Sequence, residues 1–157
     1  MIYTQRIPMK ELAEVIMLQL ETSGMATLAV TGHSMRPTLQ ERRDTVVLRL
    51  PGEKEKIGAI ILYLRENGQY VLHRIIDLEK DGYICSGDNQ VMRESVAHSQ
   101  VLAVVSGIKR KGKIHPVDSV MGGIYRAFCI GLFPLRKYYL ALRRPLGRLR
   151  GKLIGRK

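Results

Sequence analysis

The chain has 157 residues, 45% of them hydrophobic and 25% charged, and its formal net charge is +12. That length holds one domain with a core of its own, and the apolar content, free of low-complexity tracts and internal repeats, excludes a disordered chain. The two cysteines, Cys85 and Cys129, form no CxxC pair and lie at no Cys/His ligand spacing. A disulfide scaffold or zinc site is therefore not expected, and no other metal or cofactor is expected.

The charge is unevenly spread. No Asp or Glu follows Asp118, whereas ten Lys and Arg do, including Arg143, Arg144, Arg148 and Arg150. Up to residue 118 the charges nearly balance, so the basic character belongs to a tail and not to the body. Residues 1–10 carry no cleavable signal pattern, and the apolar stretch 120–135 is short and interrupted by Arg126. No spanning helix is expected, and the expected location is cytoplasmic or peripheral at a membrane.

In chain order, Pro8 to Thr22 predicts an amphipathic helix. Met9, Leu12, Ile16 and Leu20 share one face, with Glu11, Glu14, Gln19 and Glu21 elsewhere, and Gly24 ends it. Met25 to Val30 is a short β-capable run. Thr45 to Leu50 is a second, ended by Pro51-Gly52, and Ala59 to Leu64 a third. Asn67-Gly68 is a strong tight-turn signal before Gln69 to Ile76, and Asp81-Gly82 turns the chain into Tyr83 to Ser86. After a polar loop come Val101 to Val105, the Lys111-Gly112 turn, and Lys113 to His115. Short strands with frequent turn punctuation predict a mainly β fold, a small antiparallel, barrel-like domain over 25–116. Residues 1–24 supply the N-terminal helix. Residues 117–157 read as a basic helical tail, in which Leu142, Leu146, Leu149 and Leu153 alternate with arginines like a surface helix.

Three stretches carry chemistry. Gly32-His33-Ser34-Met35-Arg36-Pro37-Thr38-Leu39 displays a serine between a strand and a turn, either as a plain turn former or as a nucleophile awaiting a base. His73 stands in the strand after Asn67-Gly68, and Asp88 stands in the turn Ser86-Gly87-Asp88-Asn89. Adjacent antiparallel strands could unite serine, base and carboxylate, the minimal set for acyl transfer. A satisfied core histidine and an ordinary Gly-Asp-Asn turn remain open at this point.

These stretches together resemble a family. The serine segment is similar to the G-x-S-M-x-P-T-L box of type I signal peptidases and their LexA-like relatives. Asp44-Thr45-Val46-Val47 resembles the G-D-x-V strand, with Arg43 in place of the usual Gly. Lys56 to Ile61, Leu72 to Ile76 and Ser86 to Asn89 resemble three further boxes, in unbroken order over roughly residues 25–110. His73-Arg74 is the form seen in the endoplasmic-reticulum, archaeal and sporulating-bacterial subgroup, where most bacterial enzymes carry lysine.

The resemblance implies a signal peptidase/LexA-like fold and a serine endopeptidase that removes leader or signal sequences from precursor peptides or proteins. It implies Ser34 as nucleophile, His73 as general base and Asp88 as the carboxylate that orients the imidazole. Glu94 stands where the family has a second Asp and is carried as a further acid. The Ser34 N–H is the first oxyanion donor, Gly32 stands where the family can supply a hydroxyl, and Met35 and Pro37 shape the turn and the pocket floor. Arg74 is expected to be an ion-pair partner. The precursor substrate is the expected partner, with an anionic membrane surface docking the basic tail. A nucleic-acid partner is not expected, since there is no Trp and there are only two Phe. Two other readings stand beside this one: a LexA-like self-cleaving regulatory module, and a non-catalytic basic binding module.

Overall fold

Leu12, Ala13, Ile16 and Leu20 recur every three or four residues and turn one face of helix α1 (Met9–Ser23) onto the core. The computed structural model describes residues 9–117 together with 123–124, 127, 130–131, 133–135 and 138. The expected basic tail lies largely outside these residues.

After α1 come eight strands: β1 (Met25–Ala29), β2 (Thr45–Arg49), β3 (Ile60–Leu64), β4 (Tyr70–Glu79), β5 (Gly82–Ser86), β6 (Glu94–Ala97), β7 (Val101–Arg110) and β8 (Lys113–Pro116). They form one antiparallel sheet in the order β1-β2-β7-β3-β4-β5-β6, with β8 added to β7, and the sheet curls into a half-barrel. The mainly β, barrel-like architecture with an N-terminal helix is the one the sequence predicts. The difference is β6, which occupies the stretch read as a polar loop. Its four residues Glu-Ser-Val-Ala bury one apolar side chain, Val96, too little for a periodicity to register.

Strand β3 explains how the core is divided. Its apolar run is buried on both faces, as a central strand requires. Ile60 and Leu62 join a cluster with Ile16 and Leu20 of α1, Leu28 of β1, Leu48 of β2 and Val105 of β7. Ile61 and Tyr63 point the other way, into a second cluster with Ile75, Tyr83, Cys85 and Val96. Among the described residues, no helix is long and apolar enough to cross a membrane, and no group of three or more His, Cys, Asp or Glu is arranged to hold a metal ion.

Candidate functional site

The serine turn leaves β1 through Val30 and is anchored by two of its own apolar side chains. Met35 and Leu39 are buried in the first cluster, and the Leu39 N–H donates to the Met35 carbonyl at 2.9 Å. Gly32 takes φ +78°, in the left-handed region that L side chains avoid, and this turns the chain just ahead of Ser34. Across the turn, the Asn89 N–H donates to the Ser34 carbonyl at 2.7 Å and the Asn89 side-chain amide to the His33 carbonyl at 3.3 Å. Ser34 is half-buried, not openly displayed, and its N–H and hydroxyl make no hydrogen bond among the described residues.

Strand register sorts the carboxylates. His73 of β4 lies opposite Ile61 of β3, so Tyr63, two residues further along β3, is its diagonal neighbour on the same face. The next residue on that face of β4, Ile75, pairs with Cys85, and Cys85 pairs with Glu94 of β6. The result is a row across four strands. The Tyr63 hydroxyl lies 3.1 Å from His73 Nδ1 and donates to Glu94 Oε2 at 2.8 Å. Glu94 Oε1 lies 3.6 Å from Nδ1, and the carboxylate is held by Arg65, whose Nε donates at 2.8 Å and whose Nη2 closes the ion pair.

Arg74 follows His73 directly, and successive strand residues face opposite sides. Its guanidinium donates to Asp88 through Nε at 2.8 Å and Nη2 at 2.7 Å, and to the Gly58 carbonyl at 2.8 Å. The Thr38 hydroxyl also donates to Asp88. Asp88 therefore does not meet the imidazole as the sequence predicts: both its oxygens are engaged by Arg74 and the serine turn. Arg74 is the ion-pair partner expected, and the pair fastens residues 34–39 to the loop after β5. A second brace lies beyond Leu39. There the fully buried Asp44 carboxylate binds Arg43, Arg110 and the Gln40 N–H, while Arg110 also reaches the Thr38 carbonyl.

The serine turn and the histidine meet at one cavity of about 410 Å³. Gly32, Ser34, Met35 and His73 line it together with Leu28 and Leu72. Pro37 does not line it and is exposed, so its part is confined to the turn, where the Arg36–Pro37 peptide bond is cis. Gly87 shows how close the two sides come. A Cβ at this position would sit 2.7 Å from the Ser34 carbonyl oxygen and 3.1 Å from His73 Nε2. The ring nitrogen and the Ser34 backbone carbonyl thus both lie close to one glycine. No hydrogen bond joins Ser34 Oγ to His73 among the described residues.

Electrostatics set the protonation states. Burial pushes the His73 imidazole from 6.5 down to about 4, with Glu94 opposing and Arg65 reinforcing the change. The ring is neutral at pH 7. Burial alone would raise the Glu94 carboxyl, but hydrogen bonds from Arg65 and Tyr63 outweigh it and keep the group below its usual range. Burial and the adjacent Glu94 push the Tyr63 phenol well above its ordinary value, so it keeps its proton. His33 and His98 stand apart from this group: the first is exposed 3.6 Å from Glu41, the second packs edge-on against Tyr83.

Sequence reading missed Tyr63, Arg65 and Gly87. Tyr63 is one more large residue in the apolar run of β3, and only the register with β4 distinguishes it. Gly87 lay in a recognised box, but its role depends on two residues far away in sequence. Comparisons with protein-family models, with curated proteins and with solved structures gave no match to this chain.

Proposed function

We propose that this protein is a serine endopeptidase of the signal-peptidase type that cleaves leader or signal sequences from precursor polypeptides. Ser34 is the nucleophile, His73 the general base, and Glu94 rather than Asp88 the carboxylate behind the imidazole. The observation that carries this reading is that Ser34 and His73 line one largely apolar cavity, with the Ser34 carbonyl and His73 Nε2 both close to Gly87. A satisfied core histidine would account for the contact to Tyr63. It would not account for a histidine and a serine lining the same cavity.

The chemistry follows from the protonation states. An unassisted serine is a poor nucleophile, and a neutral imidazole can accept its proton. Ser34 Oγ attacks the scissile carbonyl carbon while its proton passes to His73 Nε2, and the carbonyl electron pair moves onto oxygen. The Ser34 N–H, which has no partner among the described residues, is left available as a donor to that oxyanion. The imidazolium is stabilised by the Glu94 charge, held in place by Arg65. It then returns its proton to the departing amine as the C–N bond breaks. Water, deprotonated by His73, cleaves the acyl-enzyme ester and restores Ser34. The apolar walls suit an uncharged segment of the substrate. A peripheral position at an anionic membrane, through the basic tail, would bring the enzyme to such substrates.

The test is cleavage of a panel of synthetic precursor peptides, scored by mass spectrometry, with wild type, Ser34→Ala and His73→Ala. Both variants are expected to lose cleavage by at least about 10³-fold while remaining folded. Undiminished cleavage by Ser34→Ala would overturn the assignment.

A further inference from the structure

The tautomer of His73 decides whether it can act as a base toward Ser34, and a count of protons around Tyr63 determines that tautomer. The phenol has one proton to give and keeps it at neutral pH. Glu94, ionised and 2.8 Å away, can only accept, so the phenolic proton points to Glu94. The Tyr63 oxygen then has only lone pairs left for His73 Nδ1 at 3.1 Å, and Nδ1 must be the donor. A neutral ring protonated on Nδ1 carries its lone pair on Nε2, the nitrogen beside Gly87 and Ser34. The direct alternative is longer: Glu94 Oε1 stands 3.6 Å from Nδ1, beyond hydrogen-bond length.

We propose that Tyr63 is the positioning residue of this site. Its hydroxyl bridges the imidazole to Glu94, locks the ring in the Nδ1–H tautomer and relays the carboxylate's charge to the imidazolium. The proposal rests on the reading of Ser34 and His73 as nucleophile and base. The bridge is enclosed: Tyr63 and His73 are each 1% exposed, and their rings are tilted 59° to one another with centroids 6.1 Å apart. The groups acting on the ring are Tyr63 from β3, Arg65 just after it, Glu94 from β6 and Asp88 after β5. Of these, only Tyr63 is within hydrogen-bond distance of Nδ1.

The experiment uses the full chain labelled with ¹⁵N-histidine. Long-range ¹H–¹⁵N correlation spectra at pH 7 distinguish a protonated ring nitrogen from a bare one. In wild type, His73 is expected to show Nδ1 protonated and Nε2 bare; the opposite tautomer overturns the proposal without need of any variant. Tyr63→Phe keeps the ring and removes the bridge. It is expected to shift the tautomer population toward Nε2–H and to lower kcat by about 10²-fold, with KM changed little. An unchanged tautomer in Tyr63→Phe would show that Glu94 holds Nδ1 directly and would overturn the role given to Tyr63. Should the variant not fold, a nuclear Overhauser contact in wild type between the Tyr63 hydroxyl proton and the proton on Nδ1 decides the matter, and its absence counts against the bridge. Failure of the peptidase reading appears separately, as cleavage indifferent to Ser34→Ala, and leaves the tautomer measurement standing.

Discussion

Replacing Asp88 with asparagine separates the two carboxylates near the candidate site. The Arg74 and Asp88 side chains are 3% and 1% exposed, and their two hydrogen bonds are 2.7 and 2.8 Å long. Asp88→Asn removes the negative charge from beside a buried guanidinium while keeping the shape. Breaking such a pair from one side costs about 3–5 kcal/mol, because desolvation of the remaining charge is no longer offset. A domain of this size has about 5–15 kcal/mol in total and loses about 2–4 °C of Tm per kcal/mol, so Tm should fall by about 10 °C. Thermal and urea unfolding followed by circular dichroism would measure this. The parallel variant Glu94→Gln acts on a carboxylate 17% exposed, where partial solvent access makes the stability cost smaller, about 1–3 kcal/mol. On the proposed reading its main effect falls on turnover. If Asp88→Asn unfolded like wild type but lost cleavage, while Glu94→Gln kept it, the clamp assigned to Asp88 would be refuted and Asp88 would return to the imidazole.

Further outcomes follow from the same geometry. Gly87→Ala would drive a methyl group to 2.7 Å from the Ser34 carbonyl oxygen and 3.1 Å from His73 Nε2. It should push the two apart and cut cleavage more than tenfold at a stability cost of about 1–3 kcal/mol, readable by peptide assay and urea melt. Because burial lowers His73 from 6.5 to about 4, the acid limb of kcat/KM should fall near pH 4, so activity persists at pH 5.5 where an ordinary histidine would be mostly protonated. A limb near 6.5 would show that the ring is solvated in the free protein. The same depression makes stability pH-dependent. Above 6.5 the ring is neutral folded and unfolded and its contribution is constant. Between 6.5 and about 4 only the unfolded chain takes up the proton, and roughly 3 kcal/mol is lost across that window. His73→Gln should flatten that part of a stability–pH curve. The carboxyls of Asp44 and Glu94, held below their usual range, begin to erode stability as pH falls through their ordinary values of 3.8 and 4.5.

What could be read in the sequence was local. The turn dipeptides and alternating runs gave the strands and the helix, because each depends on neighbours within a few residues. The choice between Asp88 and Glu94 was not legible. It depends on Cys85 pairing with Glu94 and on Arg74 facing away from His73, both consequences of register across β4, β5 and β6. A Gly-Asp-Asn turn after a strand marks a conspicuous acid, whereas Glu94 opens a strand with one buried side chain. Tyr63 was hidden for a related reason. In a strand covered on both sides, every residue is apolar, and composition does not separate a core tyrosine from one whose hydroxyl is engaged.

The order of the strands has a consequence for when such a site exists at all. Ser34 hangs from β1 at one end of the hydrogen-bonded path, His73 belongs to the fifth strand along it, and Glu94 to the last. In a flattened sheet these groups would be separated by several strand widths, each about 4.8 Å. Only rolling brings the first margin back over the fifth strand, where the Asn89–Ser34 link acts as the latch. Partial unrolling would separate Ser34 from His73 while nearly every ladder hydrogen bond, and hence the far-ultraviolet spectrum, survived. On the proposed reading, the three groups are complete as a site only when the sheet is rolled.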